Sequence, residues 1–374
     1  MSIGYVFCIV IFRGRILESL LVIAKIWSMD REIIKGADMA KFSQNKLYAG
    51  LLLGLLLSGC TTIPTSNTQF PVTQAPTTQA ATRKIETTQS ILDVKTIADE
   101  LALTHGANNV LVVFDIDDTL LANTADLGST AWWNWQDGLP KTSTNKIPFS
   151  DLLAANGVMY AVSDMKPVEG QTTIDVFKHL TNGGFPVYAL TARGPDNRDA
   201  TLRELADQGL DFTTAPECAA PLCAKRGQLM GDAHIAPLAR TRFGFKAGAN
   251  THDLGAGTIK ISSNRNASVS DGVVMVAGQN KGVILRLLVD SFPQASSPKA
   301  IIFVDDSTSN VANLKATSPA FSEDLRIIHY QALTHEQTDF LTNTTRQNKA
   351  LDDLKRISQT LCAVLNNQAQ VCAR

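Results

Sequence analysis

Asp115, Asp117 and Asp118 fall within four consecutive positions, directly after the apolar run Val110-Leu111-Val112-Val113-Phe114. Carboxylates crowded in this way repel one another, and a fold keeps them together only where a cation or a proton offsets the charge. An oxygen-only ligand set suits a hard cation such as Mg²⁺. Further along, Thr191 closes the run Val187-Tyr188-Ala189-Leu190, Asp305 and Asp306 close the run Ile301-Ile302-Phe303-Val304, and Lys281 stands in Gln279-Asn280-Lys281-Gly282. An acidic cluster, a hydroxyl, an ammonium group and a second acidic pair are groups that could bind a metal and move charge at its side.

These residues need rigid support. The run Val110–Phe114 is continuously apolar and β-branched, which predicts a buried parallel strand. In an open α/β sheet the carboxyl end of such a strand is where ligands bind. Ile91 to Leu103 carries apolar residues at helical spacing (Ile91, Val94, Ile97, Ala98, Leu101) and should lead into that strand. Thr201 to Leu205, ended by Gly209, reads as a helix, as does Asn348 to Leu365. Ile301 to Val304 and Leu325 to Tyr330 read as strands. Strands alternating with helices predict an α/β fold built on a doubly wound parallel sheet.

Two insertions interrupt the alternation, at about residues 122–182 and 211–278. The first holds Trp132-Trp133-Asn134-Trp135 and a helical stretch, Pro148 to Asn156, bounded by Gly157. Such tryptophans either line a pocket or form the core of a small subdomain, and the core reading is favoured. The second contains two strand-like segments, Thr258 to Ile261 and Gly272 to Val276, around the turn-rich Ser262 to Asp271.

Asp115-x-Asp117-x-Thr119-Leu120 resembles the first motif of the haloacid dehalogenase (HAD) superfamily. The segments ending in Thr191, containing Lys281, and ending in Asp305-Asp306-Ser307 resemble its second, third and fourth motifs, in the same order. The resemblance covers roughly residues 89 to 340. It implies a HAD-like Rossmannoid core with caps at the two insertions, and a Mg²⁺-dependent phosphatase acting on a small phosphorylated substrate. Asp115 would be the nucleophile, and Asp117 a general acid/base whose backbone carbonyl also reaches the metal. Thr191 would bind a phosphoryl oxygen, Lys281 would offset phosphate charge, and Asp306, with Asp305, would complete the metal shell. Dehalogenases of this family lack the second acid, so Asp117 favours phosphatase chemistry. Asn310 stands where many relatives carry another Asp. The plainer alternatives are a strand-end turn for Asp305 and Asp306, a helix cap for Thr191 and a solvated surface lysine for Lys281. Asp118 is assigned no role beyond local charge, and Arg193 either touches substrate or pairs with an acid.

The N-terminal region carries an address. Lys41 and Lys46 precede the apolar stretch Tyr48 to Leu57, which is too short to span a bilayer at the ~18 residues required, and Leu57-Ser58-Gly59-Cys60 follows. This is the layout of a secretory signal. Leu-Ser-Gly-Cys resembles a bacterial lipobox, which implies cleavage before Cys60, lipidation of Cys60 and, with Thr61 next, an outer-membrane lipoprotein facing the periplasm. The expected start is then Met39, with residues 1–38 an upstream extension of the reading frame and residues 39–59 the signal peptide. Residues 60–88 are rich in Thr, Pro, Gln and Ala and predict a flexible tether, leaving 89–374 as the folded domain. Cys218, Cys223, Cys362 and Cys372 remain for the exported protein, an even number that predicts disulfides. The simplest pairing of the three is Cys218–Cys223 with Cys362–Cys372, and a zinc site is disfavoured for want of a histidine at ligand spacing. The net charge of −1 gives no electrostatic case for nucleic acid. A different class of function, an envelope lipoprotein that binds without turnover on the same fold, is the alternative to the enzyme.

Overall fold

The computed structural model describes residues 81–216, 227–229, 235–253, 257–262 and 264–364, all within one compact unit, Ala80–Arg374. In chain order these residues give strand β1 (Arg83–Thr88), helix α1 (Ile91–His105) and β2 (Val110–Phe114). A hairpin of β3 (Leu121–Asn123) and β4 (Met165–Pro167) carries α2 (Thr130–Gly138) and α3 (Phe149–Val162) between its strands. Then come α4 (Gln171–Asn182), β5 (Val187–Thr191), α5 (Arg198–Asp207), β6 (Gly227–Leu229), α6 (Ala236–Phe243), β7 (Thr251–Asp253) and β8 (Thr258–Lys260). The chain continues through β9 (Ala267–Ser270), β10 (Val273–Met275), α7 (Lys281–Asp290), β11 (Ala300–Asp305), α8 (Thr308–Thr317), β12 (Asp324–Tyr330), α9 (Thr334–Thr342) and α10 (Thr344–Val364).

The central sheet has the order β1-β12-β11-β2-β5-β10-β9-β6. It is parallel from β1 to β10 and antiparallel at β9 and β6. The expected α/β class is therefore present, as a Rossmann-like fold with a mostly parallel sheet. Side-chain alternation divides each strand between two cores. Leu111, Val113, Tyr188, Leu190, Ile301 and Phe303 face one side with α7 and α8. Val110, Val112, Phe114, Val187, Ala189 and Val304 face the other with α1, α4 and α5. This double burial is why the strands read as unbroken apolar runs. From β2 the chain runs outward through β5 and β10, then returns to β11 on the other side of β2. The carboxyl ends of β2 and β11 thus flank the switch point, where an open sheet leaves a crevice.

Three expectations need correction. Arg83–Thr88, placed in the tether, is an edge strand paired in parallel with β12, from Arg83 against Leu325 to Thr88 against Tyr330. Composition missed it because charged and Thr-rich strands are what edges use. Val273–Met275, assigned to the second insertion, pairs in parallel with Ala189 to Thr191 and belongs to the central sheet, with Ala267–Ser270 beside it. The helix expected to stop at Gly157 runs on to Val162, because α3 packs on a neighbour and a single glycine costs only about 1 kcal/mol.

The first insertion does not stand alone. Leu127, Trp132, Leu152 and Met159 share a core with Phe340 and Ala350 of the C-terminal helices. Ser129 accepts the Trp132 N–H at 3.1 Å and starts α2, which turns the tryptophans inward. Trp132 is fully buried and Trp135 meets Phe340 edge-on at 6.0 Å, which is the subdomain-core role. Arg346 of α10 forks onto Asp126 and fixes the insertion to that helix. Among the described residues no helix is long and apolar enough to cross a membrane. The signal segment, Cys60, Cys218, Cys223 and Cys372 lie outside the described residues; Cys362, on α10, is disulfide-bonded.

Candidate active site

Asp115 leaves the end of β2 with its N–H on Val304 O at 2.9 Å, so the neighbouring strand fixes where its side chain starts. The chain then doubles back tightly. Leu120 and Leu121 both donate to Ile116 O, and Asp118 takes a left-handed φ of 57°. A non-glycine residue in that region is uncommon and is held there by its surroundings. The turn sets Asp117 and Asp118 at the rim while Asp115 stays inside, 5 % exposed.

Lys281 comes from the opposite direction. Asn280 accepts the Val283 N–H at 3.1 Å and caps α7, making Lys281 its first residue. A cation in the first turn opposes the helix dipole, so this lysine needs anionic partners. It has two: its Nζ lies 2.7 Å from Asp115 Oδ1 and 2.7 Å from Asp305 Oδ2. At 1 % exposure it is no surface lysine. The helix carrying it is seated by close approach at Gly282, where a Cβ would stand 2.0 Å from Thr317 Oγ1.

Asp305 ends β11, fully buried, and its oxygens are engaged: Ser307 N–H donates at 2.9 Å, and the Asn310 amide at 3.0 and 3.2 Å. Asn310 thus orients Asp305, and through it Lys281. Asp306 is held by its backbone, its N–H on Thr119 Oγ1 at 3.1 Å and its carbonyl beside His329 Nε2 at 3.0 Å. Asp115, Asp305 and Asp306 each offer a carboxylate oxygen within 4.8 Å of the others. Burial first, and then Asp305 and Asp117 against the opposing Lys281, push Asp115 up to about 7. Burial and the charges of Asp115, Asp305 and Asp118 push Asp306 well above the usual carboxylate range. Asp118 is raised to about 6, chiefly by burial. Three carboxylates against one ammonium leave an excess of negative charge that matches a divalent cation. Asp115 Oδ1, close to Lys281 but not aligned with it as a hydrogen bond, has no hydrogen-bond partner among the described residues. A buried, unsatisfied oxygen beside two further carboxylates fits a hard cation.

Asp117 points elsewhere. Arg193 forks onto it, Nε to Oδ2 at 2.9 Å and Nη2 to Oδ1 at 2.7 Å. The same guanidinium donates to Thr201 at 3.0 Å and to Glu204, and stacks 3.9 Å over the Tyr160 ring from α3. Of the two readings left open for Arg193, pairing with an acid is the one observed, and the acid is Asp117. Thr191 ends β5 on the same edge of the sheet, fully buried, and its hydroxyl accepts the Arg193 N–H at 3.2 Å. It braces the turn carrying Arg193 rather than capping α5, which begins at Arg198.

Sequence reasoning named Asp115, Lys281, Asp305 and Asp306, and the fold brings these four together. It missed Gln337, whose amide nitrogen donates to Asp118 Oδ2 at 2.7 Å and Asp306 Oδ2 at 3.0 Å. A lone glutamine on an amphipathic helix carries no signal of such a role. It also gave no role to Asp118, Thr119, Tyr160 or Glu204. Only Thr119, inside the Asp115 motif, had a signal that could have found it.

No curated protein matches the chain in sequence. Residues 87–369 match a family described as "Protein of unknown function (DUF2608)", a span that takes in the sheet, the first insertion and every residue of the site. The chain belongs to the DUF2608 family.

Proposed function

We propose that this protein is a HAD-type, Mg²⁺-dependent phosphomonoester hydrolase, held in the cell envelope by a lipid on Cys60 and facing the periplasm. The observation that carries the reading is the buried Asp115 carboxylate at the sheet switch point, bridged by Lys281 to Asp305 and flanked by Asp306. Asp115 and Asp306 would hold the cation, with Asp305 close behind them. Mg²⁺, when bound, supplies the positive charge that lets an anionic carboxylate approach an anionic phosphate.

The chain's own groups account for the rest. An Asp115 oxygen attacks phosphorus, the ester P–O bond breaks, and its electron pair leaves with the alcohol oxygen, which takes up a proton. Water then attacks the phosphorus of the aspartyl-phosphate, gives up a proton, and the bond to Asp115 breaks to return the carboxylate. Lys281 keeps Asp115 aimed and offsets charge that grows on the phosphoryl oxygens. Asp117 is the group placed to handle both protons, and Arg193 must share or release one of its oxygens for that transfer. Thr191 keeps the role of a phosphoryl contact only if its hydroxyl turns from Arg193 N–H toward the substrate. The first insertion, borne on the hairpin directly after the Asp115 turn, would act as a cap, with Tyr160 its closest approach to the acid pair.

One observation favours the second reading, a binding lipoprotein without turnover: the bidentate Arg193 clamp occupies the acid/base carboxylate. Phosphate release from a panel of phosphomonoesters, with Mg²⁺ and with chelator, separates the two. The enzyme reading expects cation-dependent release. A folded protein that releases none from any ester sinks it.

A further inference from the structure

Gln337 lies at the middle of α9, outside the sheet and its flanking helices. Its amide nitrogen is shared between Asp118 and Asp306. Turned the other way, its carbonyl oxygen would face two carboxylates, so repulsion fixes the donor orientation. Among the described residues, Gln337 is the side chain that hydrogen-bonds the Asp306 carboxylate. The helix behind it is firmly seated. Phe340 is fully buried against Trp135, and Arg346 at the start of α10 ties back to Asp126 of the first insertion. The lobe built from the insertion and the C-terminal helices therefore reaches a cation-binding carboxylate through one amide.

We propose that Gln337 is a positioning residue through which the C-terminal helical lobe aims Asp306 and so sets how tightly the pocket holds a divalent cation. The inference rests on the cation-dependent reading of the Asp115 site. Without the amide, Asp306 keeps its backbone anchors but its carboxylate is free to rotate toward solvent, and Asp118 loses the donor that the two acids share. Partners that orient a metal ligand are typically worth ~10–100-fold in affinity. Gln337 is only half-buried, so replacing it leaves the core intact.

The test is calorimetric titration of Mg²⁺ into chelator-stripped full-length protein: wild type, Gln337→Met, Gln337→Asn and Asp115→Asn. Methionine keeps the length and loses the donors; asparagine keeps the amide but withdraws it by one methylene, about 1.5 Å. Both should bind Mg²⁺ about tenfold more weakly at unchanged near-UV circular dichroism. Hydrolysis should recover when Mg²⁺ is raised in proportion, which a purely structural defect would not allow. Should Gln337→Met fail to fold, Gln337→Asn carries the test. Wild-type affinity in the folded variants overturns the role of Gln337 alone. Absence of Mg²⁺ binding in the wild type overturns the cation reading, and this inference with it.

Discussion

Replacing Lys281 with methionine tests whether the buried ammonium holds the site together. Methionine fills most of the same volume, so the change removes charge rather than packing. The wild-type ammonium contacts Asp115 and Asp305 at 2.7 Å each, and all three side chains are at most 8 % exposed. Each contact is worth roughly 6 kcal/mol of Coulomb energy at an effective dielectric of ~20, most of it offset by the cost of burying the charges. Removing one partner of a buried pair costs about 3–5 kcal/mol, because the other charge is stranded. Here two carboxylates are stranded. Burial already pushes Asp115 up to about 7, so it takes up a proton near neutrality and relieves part of the strain. The expected loss is therefore about 4 kcal/mol, or a fall in Tm of roughly 8–16 °C for a domain of this size. Urea denaturation followed by tryptophan fluorescence measures it, with Lys299→Met as the exposed control, expected within about 0.5 kcal/mol of wild type. If Lys281→Met is within about 1 kcal/mol of wild type, the buried bridge from Asp115 to Asp305 is not a real feature of the fold.

Other perturbations have equally definite outcomes. Gly282→Ala drives a methyl group into Thr317, so α7 must shift; denaturation should show a loss of about 1–3 kcal/mol. Arg193→Met strands Asp117 and Glu204 and should cost about 3–5 kcal/mol, with loss of any hydrolysis. Arg193→Lys should recover part of the stability, and less of the rate, because an ammonium cannot fork onto Asp117. Trp132→Ala opens the core shared by the first insertion and the C-terminal helices and should cost about 3–5 kcal/mol, read as early proteolytic cutting in that lobe. A chain starting at residue 89 lacks β1, which pairs with β12 and carries Arg83 to the Ser318 and Phe321 carbonyls. It should be less stable by about 3 kcal/mol, at about 1 kcal/mol per lost hydrogen bond, than one starting at residue 81.

What was legible in the sequence follows from what each residue does. Val110–Phe114 and Ala300–Asp305 are buried on both faces, so their apolar runs are the strands themselves, and the acids closing them mark the crevice. Lys281 was legible through its neighbours, because Asn280 is a cap and α7 is apolar throughout. Val273–Met275 was misplaced for a topological reason: a three-residue strand beside a hairpin looks local until its parallel partner, β5, is known. The pairing of Arg193 with Asp117 spans 76 positions and was open in the sequence, since an arginine at a strand end serves substrate and acid equally well. Gln337, 219 positions from Asp118, was illegible because long-range hydrogen bonds of single amides leave no periodic trace.

The central claim is that Asp115 becomes phosphorylated. The direct measurement is peptide mass mapping after acid quench of the full chain turning over a phosphomonoester that it hydrolyses, with Asp115→Asn alongside. The account predicts one phosphoryl group on the peptide containing Asp115 in the wild type and none in the variant, both proteins folded. Hydrolysis that proceeds equally in Asp115→Asn, or a phosphoryl group found on another residue, would contradict it.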